Sequence, residues 1–208
     1  MNVLLALDTA TSRPSLALGV PGGWADEVVI ADRHQLSVAI ERVARSLLER
    51  HAVTAADLAG LVVADGPGSF TGLRIGIAFA KGVCRALDRP LYAAPSMLGA
   101  ARAVASAGES VVVEYDALRG DVYRAGWRFE ANYIAQLHGP SLVRADEASL
   151  PLASARRASE SDAGARHLIA LVGVEGGAVE IGAVAAWEPA YGRLAEAEAR
   201  RVARERER

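Results

Sequence analysis

Residues 65–76 read Asp65-Gly66-Pro67-Gly68-Ser69-Phe70-Thr71-Gly72-Leu73-Arg74-Ile75-Gly76. The apolar run from Leu58 to Ala64 precedes them and has the length and continuity of a buried strand. Pro67 favours a tight turn, and Ser69 or Thr71 can cap a helix that continues to about Leu87. The stretch therefore predicts a strand, a glycine turn and a helix in succession.

The glycines of this stretch allow three interpretations. As a phosphate cradle, their backbone N–H groups would converge on an anion at the helix N-terminus. As a structural turn, they would only let the chain enter the helix. As a contact surface, Gly72, Gly76 and Ala80 recur every four residues and form one smooth stripe. Because glycine costs about 1 kcal/mol relative to alanine inside a helix, we expect another backbone to approach there, from this chain's own sheet or from a partner.

The chain before this stretch predicts three strands and a helix. Strands are expected at 3–7, 15–20 and 24–31, with a glycine turn at Pro21-Gly22-Gly23. An amphipathic helix is expected from Ser37 to about Arg50, since Val38, Ile40, Val43 and Leu47 recur at helical spacing. The predicted order up to residue 64 is βββαβ.

The chain after this stretch is less regular. We expect a strand at 91–94, a helix from Ser96 through Ala107, and an antiparallel pair at 111–113 and 122–127, with a second lobe starting near Gly108. Residues 154–164 are polar and at best helical, 168–172 favour a strand, and the glycines of 173–182 favour a loop. Residues 194–208 have a charge-rich helical pattern.

Composition limits the functions that are open to the chain. Its 208 residues are 51% hydrophobic with a formal net charge of −2, so it is globular and carries no overall positive field for nucleic acid. Lys81, its only lysine, lies inside a predicted helix, which excludes a P-loop. Its single cysteine, Cys84, excludes an intrachain disulfide. No signal peptide and no apolar window of about 20 residues is present, which predicts a cytoplasmic protein.

Few residues are arranged for chemistry. Asp8, Thr9 and Thr11 after the first strand, with Gly66, Gly68 and Ser69, have the composition of a phosphate site, although such residues also bridge the amides of ordinary turns. The four histidines are isolated in sequence, so no metal site is predicted. Ser69 lacks the flanking glycines of a nucleophile elbow, and no protease activity is expected.

Three motifs together resemble the TsaB family, also called YeaZ. They are Leu7-Asp8-Thr9-Ala10-Thr11, the run from Gly66 to Gly76, and Asp116-Ala117 followed by Arg119-Gly120-Asp121-Val122-Tyr123. The resemblance implies an α/β fold of the actin-like ATPase, sugar kinase and Hsp70 type, which is ribonuclease-H-like. It implies two lobes, an N-terminal lobe at 1–107 and a reduced C-terminal lobe at 108–208.

The resemblance also implies a function. Such chains are non-catalytic subunits that pair with the paralogue TsaD and the ATPase TsaE to transfer threonylcarbamoyl to N6 of adenosine 37 in tRNAs reading ANN codons. They contact tRNA only through the complex, in which ATP or ADP can be bound. When alone, they form homodimers. No catalytic residue, metal or cofactor is assigned to this chain itself, and no membrane contact is expected.

The resemblance favours a partner over the chain's own sheet as the cover of the glycine stripe. It places the interface on Phe70, Thr71, Gly72, Leu73, Ile75, Gly76, Phe79 and Ala80, with Val38, Glu41, Arg42 and Arg45 on the neighbouring helix. Asp8, Thr9, Thr11, Gly66, Gly68 and Ser69 would then be a vestigial phosphate site. The alternative is a stand-alone actin-like kinase or ATPase that uses Asp8 and the loop from Gly66 to Gly72.

Overall fold

A computed structural model of the chain describes residues 2–117, 120–147 and 154–189, with Arg33 described by its backbone alone. The strands in these ranges are β1 (Val3–Asp8), β2 (Ser15–Gly19), β3 (Ala25–Val29), β4 (Leu58–Ala64), β5 (Leu91–Ala94), β6 (Glu109–Asp116), β7 (Asp121–Phe129), β8 (Ile134–Arg144), β9 (Arg156–Ser159) and β10 (Val179–Glu180). The helices are α1 (Leu36–Arg50), α2 (Phe70–Leu87), α3 (Ser96–Val104) and α4 (Ala165–Ile169).

The first sheet has the strand order β10-β5-β4-β1-β2-β3. Strands β1, β2 and β3 form an antiparallel meander, while β1, β4 and β5 run parallel, with Leu7 opposite Val63 and Val63 opposite Ala93. Every residue of β1 is buried, as expected for a strand covered on both faces. The carboxyl ends of β1, β4 and β5 therefore meet at one edge, where Asp8 and the loop that starts at Asp65 lie.

Helices α1 and α2 pack on this sheet and contact each other. The apolar stripe of α1 faces inward through Leu36, Ile40 and Leu47, each nearly or fully buried. Helix α2 begins where the Ser69 hydroxyl accepts the Gly72 N–H at 3.2 Å, and it ends at Asp88 in the left-handed conformation. The glycine turn thus feeds directly into a long helix, as the sequence predicted.

The second sheet has the order β8-β7-β6-β9. Strands β6 and β7 are antiparallel, with Val112 opposite Gly126, and β9 runs parallel to β6, with Arg157 opposite Val112. Helix α3 packs on this sheet, whereas α4 packs on β1 and β2 of the first sheet. Strand β10 then joins the edge of the first sheet beside β5, so the last described part of the chain returns to it.

The first half of the chain follows the sequence-based predictions closely. Strands β4 and β5 have the predicted bounds, and the meander, α1, α2 and the β6–β7 pair lie where they were expected. Helix α3 ends at Val104 rather than Ala107, because β6 begins at Glu109. The division into lobes at 107 and 108 stays a prediction. Within the described ranges, no helix is long and apolar enough to cross a membrane.

Two predictions for the second half are wrong, and two strands, β8 and the short β10 within the predicted loop at 173–182, were not predicted. Residues 154–164, expected to be helical at best, contain β9 and a 3₁₀ turn at Glu160–Asp162, because Arg156–Ser159 pairs with Val111–Glu114. The expected strand at 168–172 is instead the end of α4 and the turn after it. The long strand β8 was missed. The charged segment 194–208 lies outside the described residues.

Candidate functional site

The start of α2 lies directly on the turn that follows β1. The Ser69 N–H donates to the carbonyl of Ala10 at 2.6 Å, and a Cβ atom added to Gly68 would stand 2.8 Å from Ala10 Cβ. A Cβ on Gly72 would overlap the carbonyl oxygen of Thr9, and one on Gly76 would overlap its hydroxyl. Only glycine permits this approach, so the glycine run sets the spacing between helix and strand.

This contact corrects part of the predicted interface. Gly72, Leu73, Gly76 and Ala80 are buried within the chain itself, and Thr9 covers the two glycines. The chain's own first strand, and not a partner, makes the close approach that the four-residue spacing allows. These four residues are therefore not available to a partner on the folded chain.

The six residues predicted as a phosphate site lie together at the end of β1, and several of their polar groups bond neighbouring residues outside the six. The Ala10 N–H donates to Asp8 Oδ1 at 3.1 Å, and the Arg13 N–H donates to Thr11 Oγ1 at 3.3 Å. The amide of Ser69 is taken by Ala10, and the carbonyl of Gly66 accepts the Ser96 N–H at 2.9 Å. The amide of Ser69 and the space between Gly68 and Ala10 are therefore used within the chain, and the vestigial phosphate site stays a prediction.

Asp8 is the most perturbed group of this site. Its side chain is fully buried, and Oδ2 has no hydrogen-bond partner in the described part of the chain. Burial is the main reason why the pKa of Asp8 rises from 3.8 to about 7, and the carboxylates of Glu27 and Glu160 also raise it. Burial and the two acidic neighbours therefore both disfavour the ionised form of this carboxyl group.

Two other acidic features lie outside this cluster. Asp65 Oδ1 has no hydrogen-bond partner among the described residues, and burial raises the pKa of Asp65 to about 6. Asp121, across the β6–β7 turn from Asp116, lies 3.9 Å from an Arg144 nitrogen, and Leu118 and Arg119 of that turn lie outside the described residues. Within residues 2–117, 120–147 and 154–189, no cluster of three or more His, Cys, Asp or Glu side chains is arranged to hold a metal ion.

The remaining predicted interface residues lie on the outer sides of α1 and α2. Together with Arg74, which was not among the predicted interface residues, they form a surface that we call the outer helix face and define by Val38, Glu41, Arg42, Arg45, Phe70, Thr71, Arg74, Ile75 and Phe79. Val38 is 76% exposed, whereas Ile75 and Phe79 are half-buried. Arg45 pairs with Glu41 one helical turn away, and the Arg74 guanidinium lies 5.5 Å from the centre of the Phe70 ring.

The sequence did not reveal which groups surround Asp8. Tyr115 and Glu160 lie more than a hundred residues from Asp8 in sequence, but each interacts electrostatically with it in the fold. No local pattern marks such a contact, because β6 and the 3₁₀ turn at 160–162 reach Asp8 only through the tertiary fold. The four-residue spacing of Gly72, Gly76 and Ala80, in contrast, indicated a close approach.

A strand order in which an antiparallel meander adjoins parallel β1, β4 and β5, together with a second smaller sheet, defines an actin-like α/β fold. A family model described as TsaD, tRNA N6-adenosine threonylcarbamoyltransferase, matches residues 27–171. The chain belongs to this family, and its relatives there are the TsaB, or YeaZ, proteins, which confirms the resemblance seen in its motifs.

The relatives agree on this group. The tRNA threonylcarbamoyladenosine biosynthesis protein TsaB of Bacillus subtilis is 31% identical over 139 residues, which is 64% of this chain and 58% of that protein. The Escherichia coli TsaB is 29% identical over 133 residues, covering 63% and 57%. The solved structure of YeaZ from Pseudomonas aeruginosa has a TM-score of 0.65 at 27% identity, covering 73% of this chain and 71% of that one. The chain thus spans less than three fifths of the length of these two TsaB relatives.

Proposed function

We propose that this chain is a non-catalytic scaffold subunit for threonylcarbamoylation of N6 of adenosine 37 in tRNAs reading ANN codons. It pairs with a TsaD-type protein, and a TsaE-type ATPase joins the complex. Membership of the TsaD family and the TsaB relatives support the pathway. We assign its action to the cytoplasm together with the rest of that complex.

The observation that carries the proposal is the outer helix face. A single exposed apolar residue on a protein surface is ordinary. Val38, however, lies on α1, which packs beside α2, and Ile75 and Phe79 of α2 are also only half-buried. Arg42 and Arg74 supply positive charge on the same two helices. Such a surface suits a protein partner that offers an apolar centre with acidic side chains around it.

The state of the phosphate residues supports an accessory role over a kinase or ATPase. The amide of Ser69 and the space beside Gly68 are used by Ala10, and Asp8 is buried among acids. The alternative enzyme would need these same groups to face a nucleotide. We therefore assign nucleotide chemistry to the partners, and contact with tRNA to the complex.

The experiment mixes the purified chain with the TsaD-type and TsaE-type proteins of its own organism and measures complex formation by size exclusion with light scattering. We expect a 1:1 complex with the TsaD-type protein, and tRNA modification that depends on this chain. Val38→Glu should weaken the complex at least tenfold, since it buries a charge in an apolar interface. The matched control is Val179→Glu, because Val179 is 65% exposed on β10 and outside the proposed interface.

The same variants examine the chain alone. If the free protein is a homodimer through the outer helix face, Val38→Glu should yield a monomer while Val179→Glu stays dimeric. The proposal is overturned if Val38→Glu binds the TsaD-type protein as tightly as the unchanged chain does, or if tRNA is modified equally well without this chain.

A further inference from the structure

One segment from the second half of the chain closes over the end of β1 and β2. We call residues 159–164 the closing segment; α4 follows it and is anchored in the core through Ala165, Leu168 and Ile169. The Ala165 N–H donates to Ser15 Oγ at 3.0 Å, the Glu160 carboxylate accepts the Ser12 N–H, and an Arg13 guanidinium nitrogen lies 3.5 Å from the Ser161 carbonyl. Few bonds therefore hold this segment to the first sheet, and one of them depends on a carboxylate.

Glu27 of β3 provides the second charged attachment. The Ser15 hydroxyl donates to Glu27 Oε1 at 2.9 Å, and Arg166 Nε lies 3.1 Å from Glu27 Oε2. The Glu27 side chain is only 11% exposed and the Arg166 side chain is 57% exposed, so the carboxylate is largely removed from water and its partner is not. Glu27 thus links β2, β3 and α4 at one point.

Asp8 lies beneath these attachments. It is fully buried, and its unpartnered Oδ2 has no cation assigned to it among the described residues, since Arg166 bonds Glu27 and Arg13 bonds Ser161. Tyr115 of β6 interacts electrostatically with Asp8, but its hydroxyl donates to the Ser96 carbonyl at 3.0 Å. An ionised Asp8 would therefore be a buried charge whose stabilisation in the described part of the chain comes from the Ala10 N–H at Oδ1 alone.

Two carboxylates act on Asp8, namely Glu27 on β3 and Glu160 on the 3₁₀ turn, and Tyr115 on β6 also interacts with it. The next charged groups act on these residues: Asp162 on Tyr115, and Arg166 and His167 of α4 on Glu27. Glu27 and Glu160, which hold the closing segment, are also the two carboxylates that act on Asp8. Ionisation of Asp8 consequently repels the very groups that keep the segment in place.

We propose that Asp8 is a proton-dependent latch: in its neutral form the closing segment lies on β1 and β2, and in its ionised form the segment separates and admits water to the carboxyl end of β1. This device belongs to the chain's own fold and does not depend on the proposed function. The position of a segment from the second half of the chain then depends on whether Asp8, at the end of β1, carries its proton.

The direction of the effect follows from linkage. In the closed state the pKa of Asp8 is about 7, and in an open state exposed to water it approaches the ordinary 3.8. Between about pH 4 and pH 7, Asp8 is therefore protonated in the closed state and ionised in the open state. The free energy by which this proton favours the closed state is fully present below about pH 4 and is lost as the pH rises through about 7. The equilibrium constant for opening should rise about tenfold per pH unit below pH 7 and level off above it.

The experiment measures hydrogen exchange of the Ser12 and Ala165 amides, whose bonds cross the closure, and of the closing segment, from pH 5.5 to 8.5. Exchange rates are divided by the intrinsic rate of each amide, so that only opening remains. We expect the protection of these amides to fall at least tenfold over this range. Asp8→Asn, which mimics the neutral acid, should make protection independent of pH. Asp65→Asn, which removes another buried carboxyl, should keep the dependence of the unchanged chain.

A second variant and a direct titration decide the matter if Asp8→Asn does not fold. Glu160→Gln keeps an oxygen for the Ser12 N–H but removes the like charge, so the midpoint of the Asp8 carboxyl ¹³C signal should move to lower pH. The proposal is overturned if protection in the unchanged chain is flat with pH, if Asp8→Asn shows the same slope, or if the Asp8 signal titrates near pH 4.

Discussion

The backbone of α2 at Gly76 rests against the side chain of Thr9, so closely that a Cβ atom there would overlap the Thr9 hydroxyl and lie 2.9 Å from its methyl carbon. Both residues are buried. The contact joins α2, the helix that follows β4, to the end of β1. Strands β1 and β4 are neighbours and run parallel. The glycine run therefore acts first within the chain, by bringing α2 onto the sheet.

Gly76→Ala should destabilise the chain, and Gly82→Ala should not. The new methyl group at 76 must displace Thr9, which costs about 1–3 kcal/mol and exceeds the gain of about 1 kcal/mol in helix propensity. Gly82 lies in the same helix with nothing within 4 Å of an added Cβ, so its substitution should stabilise by up to about 1 kcal/mol. Urea unfolding of the two variants measures the difference.

Thr9→Ala is the control for the cause of this loss. It removes the hydroxyl and methyl groups that a methyl at 76 would meet, so the Gly76→Ala substitution should cost less in the Thr9→Ala background than in the unchanged chain. Equal stability of the Gly76→Ala and Gly82→Ala variants would contradict the intrachain contact. It would favour the interpretation in which a partner covers the stripe of Gly72, Gly76 and Ala80.

The elements of the first half could be predicted because each has a local cause. Strand β4 is a continuous apolar run bounded by Asp57 and Asp65, and the apolar residues of α1 recur every three or four positions. Strand β9 has no such pattern: Arg156–Ser159 becomes a strand because it pairs with β6. The run Leu168 to Val172 is apolar throughout, and a short apolar run does not by itself distinguish a helix from a strand.

The candidate site was only partly accessible from the sequence. The four-residue spacing of Gly72, Gly76 and Ala80 showed that something approaches closely, but helical geometry alone did not say that Thr9 does so. The acids that surround Asp8 come from β3 and from residue 160, and no spacing rule joins them. Contacts within one element can be read from its period, whereas contacts between distant elements depend on how the sheets pack.

Asp65→Asn should stabilise the chain at neutral pH and have little effect near pH 4. Burial raises the pKa of Asp65 to about 6, so the folded state binds its proton more tightly than the unfolded state does. The stability from this group is complete below about pH 4 and is lost as the pH rises to about 6, a difference on the order of 2–3 kcal/mol. Urea unfolding of the variant and the unchanged chain at pH 4, 5, 6 and 7 measures it.

The exposed Asp88 offers the matched control for this substitution, because Asn also tolerates the left-handed conformation that Asp88 adopts. The difference in unfolding free energy between Asp88→Asn and the unchanged chain should change much less with pH. If Asp65→Asn changed the free energy of unfolding by the same amount at pH 4 and pH 7, burial would not raise the pKa of Asp65.

Lys81→Met should loosen the last described segment of the chain. The Lys81 ammonium donates to the Trp187 carbonyl and lies 5.6 Å from the centre of its ring, and Trp187 packs partly against the core. Methionine keeps the apolar stem but loses both charge contacts, at a cost of about 1 kcal/mol. That cost raises the population of the detached segment roughly fivefold, so chymotrypsin should cleave after Trp187 about fivefold faster.

Lys81→Arg separates the charge contacts from the packing of the stem. Arginine keeps a cation and a donor near the ring, so its cleavage rate should stay close to that of the unchanged chain. A global loss of stability would accelerate cleavage at every site, whereas local detachment accelerates it after Trp187 and leaves cleavage after the buried Trp127 unchanged. Equal cleavage rates after Trp187 in the Lys81→Met variant and the unchanged chain would show that β10 and the Ile181 N–H bond to Leu91 hold the segment without Lys81.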